Sequence, residues 1–139
     1  TSTLPHEITH LIIAENSADR ALFPRCFNEG FAVMMEPKPH RDYYMNFLRM
    51  RLKSQSFIPL SELIVAKDYP QDPEFFYAEG YALIEYLVQQ KGLKETVSLV
   101  RLCNSPSSAI SQLLKISAAR SLDELEASWK AWIIAGAAK

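Results

Sequence analysis

The stretch of this chain richest in reactive groups is Pro5-His6-Glu7-Ile8-Thr9-His10. On a helix, His6 and His10 lie just over one turn apart, so both imidazoles leave the same face and can reach one cation. Glu7 projects about 100° round the helix from His6. That puts its carboxylate beside such a cation without making it a ligand, in position to take a proton from water. Imidazole nitrogens and carboxylate oxygens are the donors that Zn2+ accepts in four-coordinate sites with three protein ligands and one open position. A third donor must come from elsewhere in the chain.

Phe27-Asn28-Glu29-Gly30-Phe31-Ala32 offers one, with 18 residues between His10 and Glu29. The combination of HExxH, 18 residues and a Glu inside NEGFA resembles the gluzincin metallopeptidases, and its spacing is most similar to the aminopeptidase N and leukotriene hydrolase group. That resemblance implies a zinc-dependent peptidase in which His6, His10 and Glu29 hold one Zn2+ and Glu7 is the general base, acting on a peptide or protein substrate. A second segment, Tyr77-Ala78-Glu79-Gly80-Tyr81-Ala82-Leu83, is similar to that group's YEKG segment. By the same resemblance Tyr77 donates to the oxyanion, with Tyr81 as the alternative. The likeness is close over residues 5–36 and looser over 75–92. Leu11-Ile12-Ile13-Ala14-Glu15 departs from the QWFGN-like continuation of the aminopeptidases. In the family, a substrate-binding edge strand and an acidic segment lie upstream of HExxH. The resemblance therefore implies that this chain is the C-terminal part of a catalytic domain and contacts an N-terminal domain that precedes it.

Each of these residues also has a plainer reading. The two histidines could be core residues satisfied by hydrogen bonds, Glu7 a solvated carboxylate, and Tyr77 a packing residue with its hydroxyl at the surface. Asn28 and Glu36 could support the ligands from behind and are read instead as cap or surface residues. One alternative keeps the metal site but, lacking the family's upstream substrate-binding edge, gives a zinc-binding segment without turnover; on the plainer readings the chain is a metal-free helical interaction module.

The elements that must position these groups are all helices. The first runs to about Asn16, capped by Ser2 or Thr3, with Ile8, Leu11, Ile12 and Ile13 expected as a broad buried face. After the polar turn Asn16-Ser17-Ala18-Asp19-Arg20, Pro24 opens a second helix to about Glu36, with Phe27, Phe31, Val33 and Met34 as core contacts and Glu29 facing the first helix. Gly30, costly in a helix, suggests close approach of these two helices. Pro37 and Pro39 end the second helix. An amphipathic third covers His40 to about Gln55, with Arg49, Arg51 and Lys53 read as a solvated face and His40 as an exposed terminal residue. Leu60–Ala66 makes a short helix, and Asp72-Pro73 caps a long one that carries Tyr77 and stops at Gly92. Two more are expected over 93–103 and 107–117. A last helix follows the capping box of Ser121 and Glu124, with Leu122, Leu125, Trp129, Trp132 and Ile133 at helical spacing.

No repeat and no alternating strand pattern is visible, so the expected fold is all-α. The resemblance implies an active-site helix pair over 1–36 and a helical subdomain over 37–139, with the sheet subdomain of a gluzincin absent from this chain. With 139 residues, 48% of them hydrophobic, the chain suffices for one domain with a substantial core. Fifteen basic and 16 acidic residues give a net charge of −1, which argues against nucleic acid as a partner. No apolar run approaches the roughly 20 residues a bilayer span requires. Cys26 and Cys103 belong to no metal spacing and read as buried thiols, with a single disulfide left open.

Overall fold

The computed structural model describes residues 4–136 apart from 18, 20 and 55. The expected caps Ser2 and Thr3, two residues of the polar turn (Ala18 and Arg20) and the expected helix end at Gln55 lie outside the described residues. In chain order the helices are α1 (Leu4–Asn16), α2 (Arg25–Met34), α3 (Lys38–Lys53), α4 (Leu60–Val65), α5 (Pro73–Lys91), α6 (Leu93–Val97), α7 (Leu99–Leu102), α8 (Pro106–Ser117) and α9 (Leu122–Gly136). The described residues contain no strand, and the fold is all-α.

Local chemistry explains most of the boundaries. Pro24, Pro37 and Pro59 each stand immediately before a helix with φ near −55° and extended ψ, the conformation their ring favours. Pro37 and Pro39 therefore open α3 as much as they end α2. Asp72 accepts from the Phe75 N–H at 3.2 Å, Ser105 and Ser108 form a reciprocal capping box, and Ser121 Oγ accepts from the Glu124 N–H at 3.1 Å. Gly92, at φ 90°, ends α5. The segment 93–103 divides into two short helices at Ser98, whose hydroxyl bonds back to the Glu95 carbonyl at 2.5 Å.

The core is built round α2 and α5, the most extensively packed pair of helices. A Cβ placed on Gly30 would lie 2.4 Å from the Gly80 carbonyl oxygen, and one on Gly80 would lie 2.5 Å from the Cys26 carbonyl oxygen. The two backbones are thus in direct contact. Gly30 does permit a close approach, but its partner is α5 and not the first helix. Phe27, Phe76, Leu83, Ile84, Leu87, Leu99 and Trp129 are fully buried about this crossing. Cys26 and Cys103 are buried free thiols.

Two expectations about faces need correcting. Of the apolar residues expected on the buried side of α1, only Ile13 is buried; Ile8, Leu11 and Ile12 are exposed, the last two at 67% and 57%. The face of α1 turned to α2 is the polar one, with His6 buried on it. The basic face of α3 is not simply solvated either. Arg51 bonds to Asp72 at 2.6 Å and lies over the Phe75 ring, and Arg49 donates to the Ile133 carbonyl at 2.9 Å, so these side chains tie α3 to α5 and α9.

Glu79 is fully buried in α5, and one of its oxygens accepts from the Ile58 N–H at 2.8 Å. Burial pushes its carboxyl up to about 9, so the folded protein holds this proton at neutral pH. The unfolded chain releases it near 4.5. Stability is therefore expected to decline as pH rises between these values, because the unfolded state binds fewer protons there. Denaturation curves of Glu79→Gln should lose that slope and show a higher midpoint than wild type at pH 8; an unchanged slope would mean that Glu79 is ionised in the fold. For the crossing, Gly80→Ala is expected to cost about 3 kcal/mol or more by denaturant unfolding, and a loss under about 1 kcal/mol would contradict backbone contact.

Candidate metal centre

α1 and α2 bring together the three residues singled out for a cation. His6 is 6% exposed and Glu29 3%, while His10 is partly buried at the rim. Glu29 Oε1 lies 3.4 Å from His6 Nε2 and 3.0 Å from His10 Nε2, and the donor atoms of all three residues fall within 4.8 Å of one another. Donors about 2.1 Å from a tetrahedral zinc are about 3.4 Å apart. The cluster matches that scale.

What stands behind the imidazoles sets their chemistry. His6 Nδ1 is 2.7 Å from Glu36 Oε2, and His10 Nδ1 is 2.7 Å from Asn28 Oδ1. A carboxylate and an amide oxygen only accept, so both Nδ1 atoms carry a proton and both Nε2 atoms are turned towards Glu29. Asn28 and Glu36 are therefore not cap or surface residues. They fix the tautomer and the ring orientation, as partners of metal-binding histidines do. Spacing carried a signal for one of them: Glu36 follows Glu29 by seven residues, close to two helical turns. Glu36 is held in turn by His40, whose Nδ1 is 3.0 Å from its other oxygen.

Glu29 Oε1 is buried between the two Nε2 atoms, with no other hydrogen-bond partner among the described residues. A buried carboxylate oxygen faced by two imidazole nitrogens fits a divalent cation. In the metal-free protein the same convergence is satisfied by charge. A hydrogen bond to Glu29 raises the pKa of His10 above its ordinary value, against the opposing effect of burial. Burial alone would raise the Glu29 carboxyl, but His10, Arg25 and His6 together bring it below its usual value. Arg25, one turn before Glu29 on α2, reaches Glu29 Oε2 at 3.0 Å.

These groups line a cleft of about 420 Å³ that also exposes Glu7, Tyr44 and Tyr77. Glu7 and Tyr77, the two proposed catalytic residues, thus share the cleft with the cluster. Burial and the Glu36 carboxylate push the Tyr44 hydroxyl up to about 12, so it remains a donor. Tyr81, the alternative to Tyr77, is buried one turn further along α5 and lines a different cleft with Arg41 and Asp42, not the cleft of the cluster. Arg25 and Tyr44 were not marked by any motif.

Residues 1–135 match the family model described as the Peptidase MA superfamily. The chain belongs to the Peptidase MA superfamily. Searches of curated proteins and of solved structures return no match. Superfamily membership makes this a metallopeptidase-like domain, and among the described residues His6, His10 and Glu29 form a cluster whose donor atoms could hold a metal ion. No helix among the described residues is long and apolar enough to cross a membrane.

In metal-free protein, the titration of His10 followed by NMR should lie above the ordinary histidine range and fall towards it in Glu29→Gln. Identical titrations in the two proteins would show that the carboxylate does not act on that ring.

Proposed function

We propose that the chain carries the zinc site of a gluzincin-type metallopeptidase, with His6, His10 and Glu29 as the protein ligands of one Zn2+. The observation that carries this reading is the convergence of two Nε2 atoms and one buried Oε1 on a common point, with each imidazole backed by an acceptor. Within the superfamily, HExxH followed by 18 residues and NEGFA supports kinship with the aminopeptidase N and leukotriene hydrolase group. Residues 1–36 supply the ligands, and 37–139 form the helical part of the same domain that carries Tyr77.

Zinc at this position supplies Lewis acidity, which makes water acidic near neutral pH and polarises a peptide carbonyl. The chain's own groups do the rest. Glu36 and Asn28 keep the Nδ1 protons of the two imidazoles, so that both Nε2 lone pairs stay available. Glu7, exposed in the cleft beside His6, takes the proton of the attacking water and delivers it to the leaving amine. Tyr77 donates its hydroxyl to the carbonyl oxygen as negative charge gathers there. The substrate class is a peptide or a protein segment able to enter an open cleft.

Protein purified from zinc-replete medium is expected to contain about one equivalent of zinc, and Glu7→Gln to retain it while losing about a thousandfold or more in peptide hydrolysis. Zinc below about a tenth of an equivalent would remove the metal centre. Turnover by Glu7→Gln at the wild-type rate would remove the base assignment and leave the metal centre standing.

A further inference from the structure

The two oxygens of Glu29 have different surroundings. Oε1 is buried and faces His6 and His10, whereas Oε2 is 3.0 Å from the Arg25 guanidinium, a side chain 49% exposed at the wall of the same cleft. The pairing follows from the sequence. Arg25 and Glu29 are four residues apart on α2, and Pro24 starts that helix immediately before Arg25, so their side chains share one face from its first turn. The geometry points to Arg25 as a positioning residue that makes Glu29 a one-oxygen ligand: a cationic donor on Oε2 reserves that oxygen and leaves Oε1 alone to the metal.

The distinction matters for chemistry. A carboxylate can bind a cation through one oxygen or through both, and the second bond fills a coordination position. A hydrolytic zinc site with three protein ligands needs its fourth position open for water or substrate. A two-oxygen Glu29 beside the bound water would make the ion five-coordinate, and fixing which oxygen is free to ligate keeps it four-coordinate with that position left to water or substrate. Arg25 does this without entering the core, and none of the motif residues needs to change for it to be lost. The guanidinium is half exposed but its partner carboxylate is buried, so the variants are compared with the ion bound, when the metal compensates the Glu29 charge that the guanidinium leaves.

The inference rests on the proposed metal site, and cobalt substitution separates the two. Wild-type protein loaded with one equivalent of Co2+ is expected to show the intense visible bands of a four-coordinate ion. Arg25→Met, with an unchanged far-ultraviolet circular dichroism melt, should bind the same single equivalent as a five-coordinate ion with roughly half the molar absorbance, since Glu29 then ligates through both oxygens. Arg25→Lys, which keeps a cationic donor on the same turn, should retain the wild-type spectrum. A methionine variant spectrally identical to wild type overturns the role of Arg25, as does a lysine variant that changes just as the methionine variant does. A wild-type protein that binds no stoichiometric cobalt overturns the metal site itself, and with it this inference.

Discussion

Backbone contact between α2 and α5 is the constraint on which the rest of the structure depends. At Gly30 and Gly80 there is no room for a side chain, so the helices meet atom to atom and their relative position cannot drift without opening a cavity. Glu29 immediately precedes one of these glycines, and Tyr77 lies three residues before the other. The same contact that closes the core therefore sets the distance across the cleft between the buried carboxylate and the tyrosine hydroxyl.

The polar groups round that carboxylate form an ordered series. Glu29 is shared by two imidazoles and a guanidinium, each imidazole leans on an acceptor, and one acceptor, Glu36, leans on His40. Burying this many polar atoms is unfavourable unless each is satisfied. In this cluster the single buried oxygen left over, Glu29 Oε1, is the one the histidines face. Each histidine directs Nδ1 to an acceptor and Nε2 to the Glu29 carboxylate.

Much of this was legible in the sequence because it is local. HExxH and NEGFA named the three clustered residues, and Pro, Asp, Ser and Gly at the helix ends gave boundaries close to those observed at Asp72, Gly92 and Ser121. What sequence could not give was the partner across a contact. Gly30 signalled close approach and not to which helix. The spacing of Ile8, Leu11 and Ile12 identified an apolar face on α1, yet periodicity says that a face can be buried and is silent on whether anything covers it. Asn28, Glu36 and Arg51 looked like surface residues for the same reason: their roles come from side chains 18, 30 and 21 positions away.

The exposure of α1 carries a mechanical consequence. This helix gives the interior little beyond Ile13 and the buried edge of His6, whereas α2 is embedded along most of its length. Its hold on the body of the protein is therefore weak in apolar contact and strong in the polar cluster. An ion shared by α1 and α2 would act as a rivet between a lightly seated rod and a fixed one, drawing its binding free energy into the docking of α1. Chelation would then loosen the helix that bears both histidines and the proposed base, so that occupancy and the architecture of the cleft rise and fall together.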